Sequence, residues 1–256
     1  MARKIVITGG KGGVGKTTVA CALACYLAGK GKSVALCDAD LGLNNVDVTL
    51  GVENAVTFDL VDVIEGRCRA TQALISHPKY PSLRILTSSH SAPERYVSKQ
   101  ALKLVLDTLS PKFDYIFIDC PAGIEEGFHR AISVAEEAIV VTTPSVSALR
   151  DADKVVTLLK SYRLSSITCI VNKIRGDLLV GGESLSPSEI AGILHLPLLG
   201  VIPEDYGVYQ GDFTKLHPAL KTLGNNVLLG KNKLYDVTKK YVGFLGGIRK
   251  TLKRSI

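Results

Sequence analysis

Residues 9–18 read GGKGGVGKTT, and within them Gly10, Gly15, Lys16 and Thr17 satisfy a glycine, four residues and then Gly-Lys-Thr. The apolar run Ile5-Val6-Ile7 precedes this stretch and a helix-compatible segment from Lys16 through Leu27 follows it. Strand, loop and helix therefore stand in the order a phosphate loop needs. A backbone can wrap closely around a triphosphate only where side chains are absent. Glycines therefore dominate, and the loop N–H groups and the helix N-terminus face the anion. On this pattern Gly10, Lys11, Gly12, Gly13, Val14, Gly15, Lys16, Thr17 and Thr18 form the nucleotide cradle. Lys16 reaches the β and γ phosphates and the Thr17 hydroxyl ligates Mg²⁺. The competing reading is a glycine-rich turn with a structural role only.

Lys11 adds a second lysine early in the loop. With it, KGGVGKTT resembles the deviant Walker A loop of the MinD/ParA class of ATPases. The resemblance implies that Lys11 contacts the nucleotide of a partner subunit, so that two chains meet face to face over two ATP molecules. Otherwise Lys11 is an exposed loop lysine.

Two acidic strand ends extend the pattern. Ser33 to Asp38 reads as a buried strand ending in Asp38-Ala39-Asp40-Leu41-Gly42. Tyr115-Ile116-Phe117-Ile118-Asp119 is a second such strand. Carboxylates at the ends of parallel strands beside a phosphate loop lie where Mg²⁺ and attacking water are held. The resemblance gives Asp40 the water, makes Lys11 and Lys16 its catalytic companions, and places Asp38 and Asp119 with Thr17 around the metal. Aspartates in such places also cap the segments that follow. Cys120-Pro121-Ala122-Gly123-Ile124 resembles the switch of the MinD branch, with the Gly123 N–H toward the γ phosphate.

Ala138 to Thr142 reads as a core strand, followed by a helix from Ala148 to Ser161. At its start Arg150, Asp151 and Asp153 resemble a partner-binding stretch of MinD proteins, although acids in a first turn also complement the helix dipole. Ile167 to Val171 is a strand leading into Asn172-Lys173-Ile174-Arg175. A GTPase needs an aspartate at the fourth position to bind guanine. An arginine cannot accept those hydrogen bonds, which favours adenine. By resemblance Asn172 and the loop Pro203-Glu204-Asp205, after the strand Leu198 to Ile202, contact the base. Phe58 to Glu65 and Ala92 to Leu109 have helical spacing, with Leu83 to Leu86 a strand between them. Alternating strands and helices predict an α/β fold, a doubly wound and mainly parallel sheet covered on both faces.

Composition sets the bounds. With 256 residues, 46% apolar, the chain suits one large domain, and no apolar run nears the ~20 residues of a spanning helix. The first strand opens within about four residues, so the expectation is no leader peptide and a cytoplasmic protein. The six cysteines include no C-x-x-C pair and read as small core residues in a reducing compartment. The five histidines show no metal spacing. Net charge is +7, and six basic residues with no acid lie in residues 239–256, which leaves +1 for the body.

Those last residues include YVGFLGGIRKTLKRSI. On a helix, Tyr241, Val242, Phe244, Leu245, Ile248, Leu252 and Ile256 share about half of the circumference, with Lys240, Lys250, Lys253 and Arg254 on the other half. Gly243, Gly246 and Gly247 each cost about 1 kcal/mol relative to Ala, so the isolated segment is weakly helical. A basic amphipathic terminus of this kind suits an anionic lipid surface. The alternative is a helix docked on the body. The expected division is an ATPase domain at residues 1–238 and a membrane-targeting tail at 239–256.

The motifs together resemble the MinD type of division-site ATPase. That implies an ATP-dependent homodimer, peripheral on the inner face of the membrane, with the septum inhibitor MinC and a MinE-type activator or DivIVA-linked adaptor as partners. A ParA-type partitioning ATPase competes, but nonspecific DNA binding needs a basic body surface, and no specific nucleic acid is expected. A flagellar-number regulator of the same branch shares most of the motifs.

Overall fold

Short apolar strands alternating with helices that are apolar on one side bury both faces of a parallel sheet, because each crossover lays a helix on one face or the other. The computed structural model describes residues 1–41, 45–88, 97–209 and 213–242. In chain order the main elements are β1 (Arg3–Thr8), α1 (Lys16–Ala28), β2 (Val34–Asp38), α2 (Val46–Leu50) and α3 (Leu60–Ile64). Next come β3 (Ile75–Ser76), β4 (Leu83–Leu86), α4 (Lys99–Leu109), β5 (Tyr115–Asp119), α5 (Glu126–Ser133), β6 (Glu137–Thr142) and α6 (Val146–Leu159). The C-terminal part holds β7 (Ser166–Ile174), α7 (Gly176–Val180), α8 (Pro187–Leu194), β8 (Leu198–Pro203), α9 (Tyr206–Tyr209) and α10 (Pro218–Leu229).

The eight strands form one sheet in the order β3-β4-β2-β5-β1-β6-β7-β8. All pairs are parallel except β3 with β4, a two-residue edge. Alternate side chains of each strand enter different cores. Val6, Ile116 and Ile118 join the layer built with α4, α5, α6 and α8, whereas Ile5, Ile7, Leu36 and Phe117 join the layer under α1 and α10. This two-sided burial is why the strands read as unbroken apolar runs rather than as alternating ones.

The first strand sits between β5 and β6, so the chain reverses its direction of travel across the sheet at β1. The crevice at such a reversal, outside the carboxyl ends of the strands, is where ligands bind in this architecture. Register puts Asp38 opposite Asp119 and Ile7 opposite Asp119 there.

Several helix starts have legible caps. Ser98 Oγ accepts from the Ala101 N–H at 3.1 Å and Ser145 Oγ from the Ala148 N–H at 3.3 Å. Ser186 and Glu189 form a reciprocal capping box around Pro187. Two expected boundaries differ by more than two residues. The segment expected as a helix from Ala92 begins at Lys99, because Ser98 caps it, and residues 92–96 lie outside the described ones. The strand expected to end at Val171 runs on to Ile174, so Asn172 and Lys173 are strand residues.

Candidate nucleotide site

The phosphate loop bridges β1 and α1, and two of its glycines are required by their surroundings. Gly15 has φ 97°, and a Cβ there would lie 2.4 Å from Asn172 Nδ2. A Cβ on Gly10 would lie 2.4 Å from the Asp151 carbonyl oxygen, so the first turns of α6 press directly on the loop. The loop thus rests on β7 from one side and on α6 from another.

A cleft of about 420 Å³ opens over it, lined by the loop together with Asp40, Asn45, Thr49, Cys120, Ala122, Lys173 and Tyr209. Lys16 is only 8% exposed, and its ammonium lies 3.5 Å from the Lys11 carbonyl. Lys11 is exposed and donates to Ser147 Oγ of its own chain at 2.6 Å. Gly123 has φ 86° in the turn before α5.

The acidic strand ends divide the work. Asp38 accepts from the N–H groups of Asp40 at 2.9 Å, Asn45 at 3.1 Å and Val46 at 3.2 Å. One oxygen, Oδ2, thereby holds the start of α2, and the other, Oδ1, holds the Asp40 N–H. Asp40 has its N–H on Asp38 and its carbonyl on Ser88 Oγ at 2.7 Å, which fixes its backbone at the cleft wall. Asp119 is 2% exposed and lies beside the Thr17 side chain, which favours its ionised form. Its Oδ1 has no hydrogen-bond partner among the described residues. Burial, and then the charge of Asp38 beside it, push the Asp119 carboxyl well above the usual carboxylate range. Burial likewise raises Asp38, against its backbone hydrogen bonds.

A buried carboxylate oxygen with open valence beside a threonine hydroxyl fits Mg²⁺. That ion takes few protein ligands and fills its shell with water and phosphate oxygens. Among the described residues no group of three His, Cys, Asp or Glu side chains converges as a transition-metal site would require. Cys120 at the cleft is buried, and burial pushes its thiol up to about 12, so it stays protonated and is no nucleophile.

Against this geometry the comparisons with known proteins are specific. The AAA domain family matches residues 2–170. The putative septum site-determining protein MinD of Guillardia theta is 46% identical over 205 residues, 80% of this chain and 76% of that protein. The chain belongs to the septum site-determining MinD family. MinD in the Aquifex aeolicus MinC:MinD complex superposes with TM-score 0.82 at 35% identity, covering 91% of this chain and 97% of that one. The Pyrococcus horikoshii septum site-determining protein MinD, solved with Mg-ADP, gives 0.78 at 32% identity, covering 89% and 96%.

Asn172 is buried with Nδ2 2.8 Å from the Val14 carbonyl. Arg175 is turned onto Asp177 in a two-pronged ion pair, 2.9 and 2.6 Å. Pro203 ends β8, and Glu204 follows with its N–H on the Ile174 carbonyl at 2.9 Å. Asp205 pairs with Lys240 at 3.0 Å. Of the apolar residues assigned to the membrane, Tyr241 is half-buried against Gly176, whose missing side chain makes room for the ring, and Val242 is 66% exposed. Phe244, Leu245, Ile248, Leu252 and Ile256 lie outside the described residues. No helix among the described residues is long and apolar enough to cross a membrane.

Sequence reasoning missed Ser147, Lys173 and Tyr209 as parts of the site. Lys173 has φ 56°, donates to the Gly13 carbonyl at 2.8 Å, and lies over the Tyr209 ring at 5.8 Å. Its place in the run Asn172-Lys173-Ile174-Arg175 was the available signal. Tyr209 carried none.

Proposed function

We propose that this chain is an Mg²⁺-dependent ATPase that converts ATP to ADP and phosphate. On this reading it dimerises on ATP, binds the cytoplasmic face of the membrane through residues 239–256, and helps place the division septum by recruiting a septum inhibitor. The observation that carries the reading is the open, buried Asp119 oxygen beside Thr17, under a glycine loop with two lysines, in a chain of the MinD family.

In the reaction the loop N–H groups and Lys16 hold the phosphates and neutralise charge that builds on the transferred group. Asp40, fixed through its backbone on both sides, orients the attacking water. Thr17 and Asp119, with Asp38 behind them, would hold Mg²⁺, which would supply neutralisation of the phosphate charge. Gly123 brings the switch segment to the γ phosphate, so that segment differs between ATP and ADP states. Lys11 leaves Ser147 and crosses to the nucleotide of the partner subunit. Asn172 and the loop Pro203-Glu204-Asp205 face adenine.

The tail needs two copies. One weakly helical basic segment binds lipid marginally, and a dimer presents two at high effective concentration. Lys240 at the root of the tail is ion-paired to Asp205 of the base loop, which supports contact between the two ends of the mechanism. An activating or adaptor protein completes the cycle by triggering release.

The test is Asp40→Ala. Binding contacts remain and water is no longer oriented, so the variant accumulates as an ATP-bound dimer by light scattering while wild type returns to monomer. Wild-type turnover in this variant sinks the assignment of Asp40.

A further inference from the structure

On the reading that the cleft takes a purine nucleotide, we infer that Tyr209 is a specificity-determining residue for the base. Its phenolic oxygen accepts from the exocyclic 6-amine of adenine and repels the 6-oxo group of guanine or hypoxanthine. Asn172 is held in a single orientation. Its Nδ2 lies 2.8 Å from the Val14 carbonyl, which can only accept, and its Oδ1 lies 2.8 Å from the Lys173 N–H, which can only donate. The amide is therefore fixed from both sides and cannot be reversed. Tyr209 Oη stands 3.1 Å from that same Oδ1. The hydroxyl must donate there, so its only proton is committed. What the phenol then offers the cleft it lines is lone pairs.

Three further features hold it in that role. Burial, reinforced by Glu204 and Asp205, pushes the Tyr209 phenol up, so the proton is kept throughout the working pH range. The ring is held by the Lys173 ammonium, which is itself anchored on the Gly13 carbonyl at 2.8 Å. The left-handed backbone of Lys173, φ 56°, is sustained by these contacts. Asn172 Oδ1 already has two donors, and Asp177 is engaged by Arg175. The phenolic oxygen thus adds acceptor capacity toward a base where Asn172 Oδ1 is already engaged.

The placement suits a base rather than a phosphate. Asn172 is on β7, three strand positions from Asp119 on β5. At ~4.8 Å per strand that is about 14 Å, a span that ribose and phosphates fill.

The experiment uses the full chain with Mg²⁺ and titrates ADP and IDP, which differ at the 6-position and do not turn over. Wild type prefers ADP. Tyr209→Phe narrows that preference by about tenfold, the scale of one neutral hydrogen bond, mainly by weakening ADP. Tyr209→Met, which keeps bulk without a hydroxyl, gives the same narrowing. A residue that merely props Asn172 would weaken both nucleotides equally, so an unchanged ADP-to-IDP ratio in both variants overturns the inference. Failure of wild type to bind either diphosphate would overturn the nucleotide reading itself, and the inference with it.

Discussion

Replacing Asp119 by Asn should stabilise the nucleotide-free protein and disable the loaded one. The carboxylate is 2% exposed, one oxygen has no partner among the described residues, and Asp38 faces it in register. Burial and that neighbouring charge raise its folded-state pKa above the unfolded value. The folded state then binds more protons than the unfolded state between the two values, so stability falls as pH rises through that window. Below the unfolded pKa, near 3.9, the effect vanishes. Asn keeps the size and an acceptor for Thr17 while removing the repulsion. At pH 8 the gain should be of order 2 kcal/mol, the scale of a buried polar group left unmatched. Urea unfolding of apo protein at pH 5 and pH 8 measures it, since the variant should lose most of the wild-type pH dependence. With Mg²⁺ and ATP the order reverses, because the variant lacks the charge that the ion needs. A variant less stable than wild type at pH 8, or one with an unchanged pH slope, would refute the reasoning.

Lys16→Ala should weaken ATP binding by tenfold or more, about 1.4 kcal/mol of phosphate contact, as read by equilibrium titration. Lys11→Ala should keep ATP affinity and lose ATP-dependent dimerisation in light scattering, and normal dimerisation there would remove the argument for the second lysine. Gly10→Ala drives a methyl to 2.4 Å from the Asp151 carbonyl. The overpacking costs about 1–3 kcal/mol in thermal unfolding and also weakens nucleotide binding, because the loop and α6 must separate.

The parts of the fold that were legible are those with a single physical solution. Leu83–Leu86 and Tyr115–Asp119 emerge with their boundaries intact because each is an apolar run closed by turn or charged residues. The glycine loop emerges because only glycine tolerates its backbone and its neighbours. The short elements did not. The edge strand Ile75–Ser76 has two residues and no period, and α7 and α9 are single turns set by contacts elsewhere. α8 was not expected either, although Ser186-Pro187-Ser188-Glu189, a capping box with proline at the first position, was a local signal for it. At the site, residue types announced the loop and the acidic strand ends. The engagement of Asp38 with three backbone N–H groups, the Lys11 contact with Ser147, and the Tyr209 hydrogen bond to Asn172 depend on approach in space, which no local pattern encodes.

If nucleotide state controls membrane attachment, sedimentation with anionic lipid vesicles shows it most directly. The full chain should pellet strongly with ATP and weakly with ADP, and Ile248→Glu should abolish pelleting while nucleotide binding persists. High salt should weaken pelleting without erasing it, because screening removes the basic attraction and leaves apolar insertion. Equal pelleting in ATP and ADP, or unaffected pelleting of Ile248→Glu, would contradict the account.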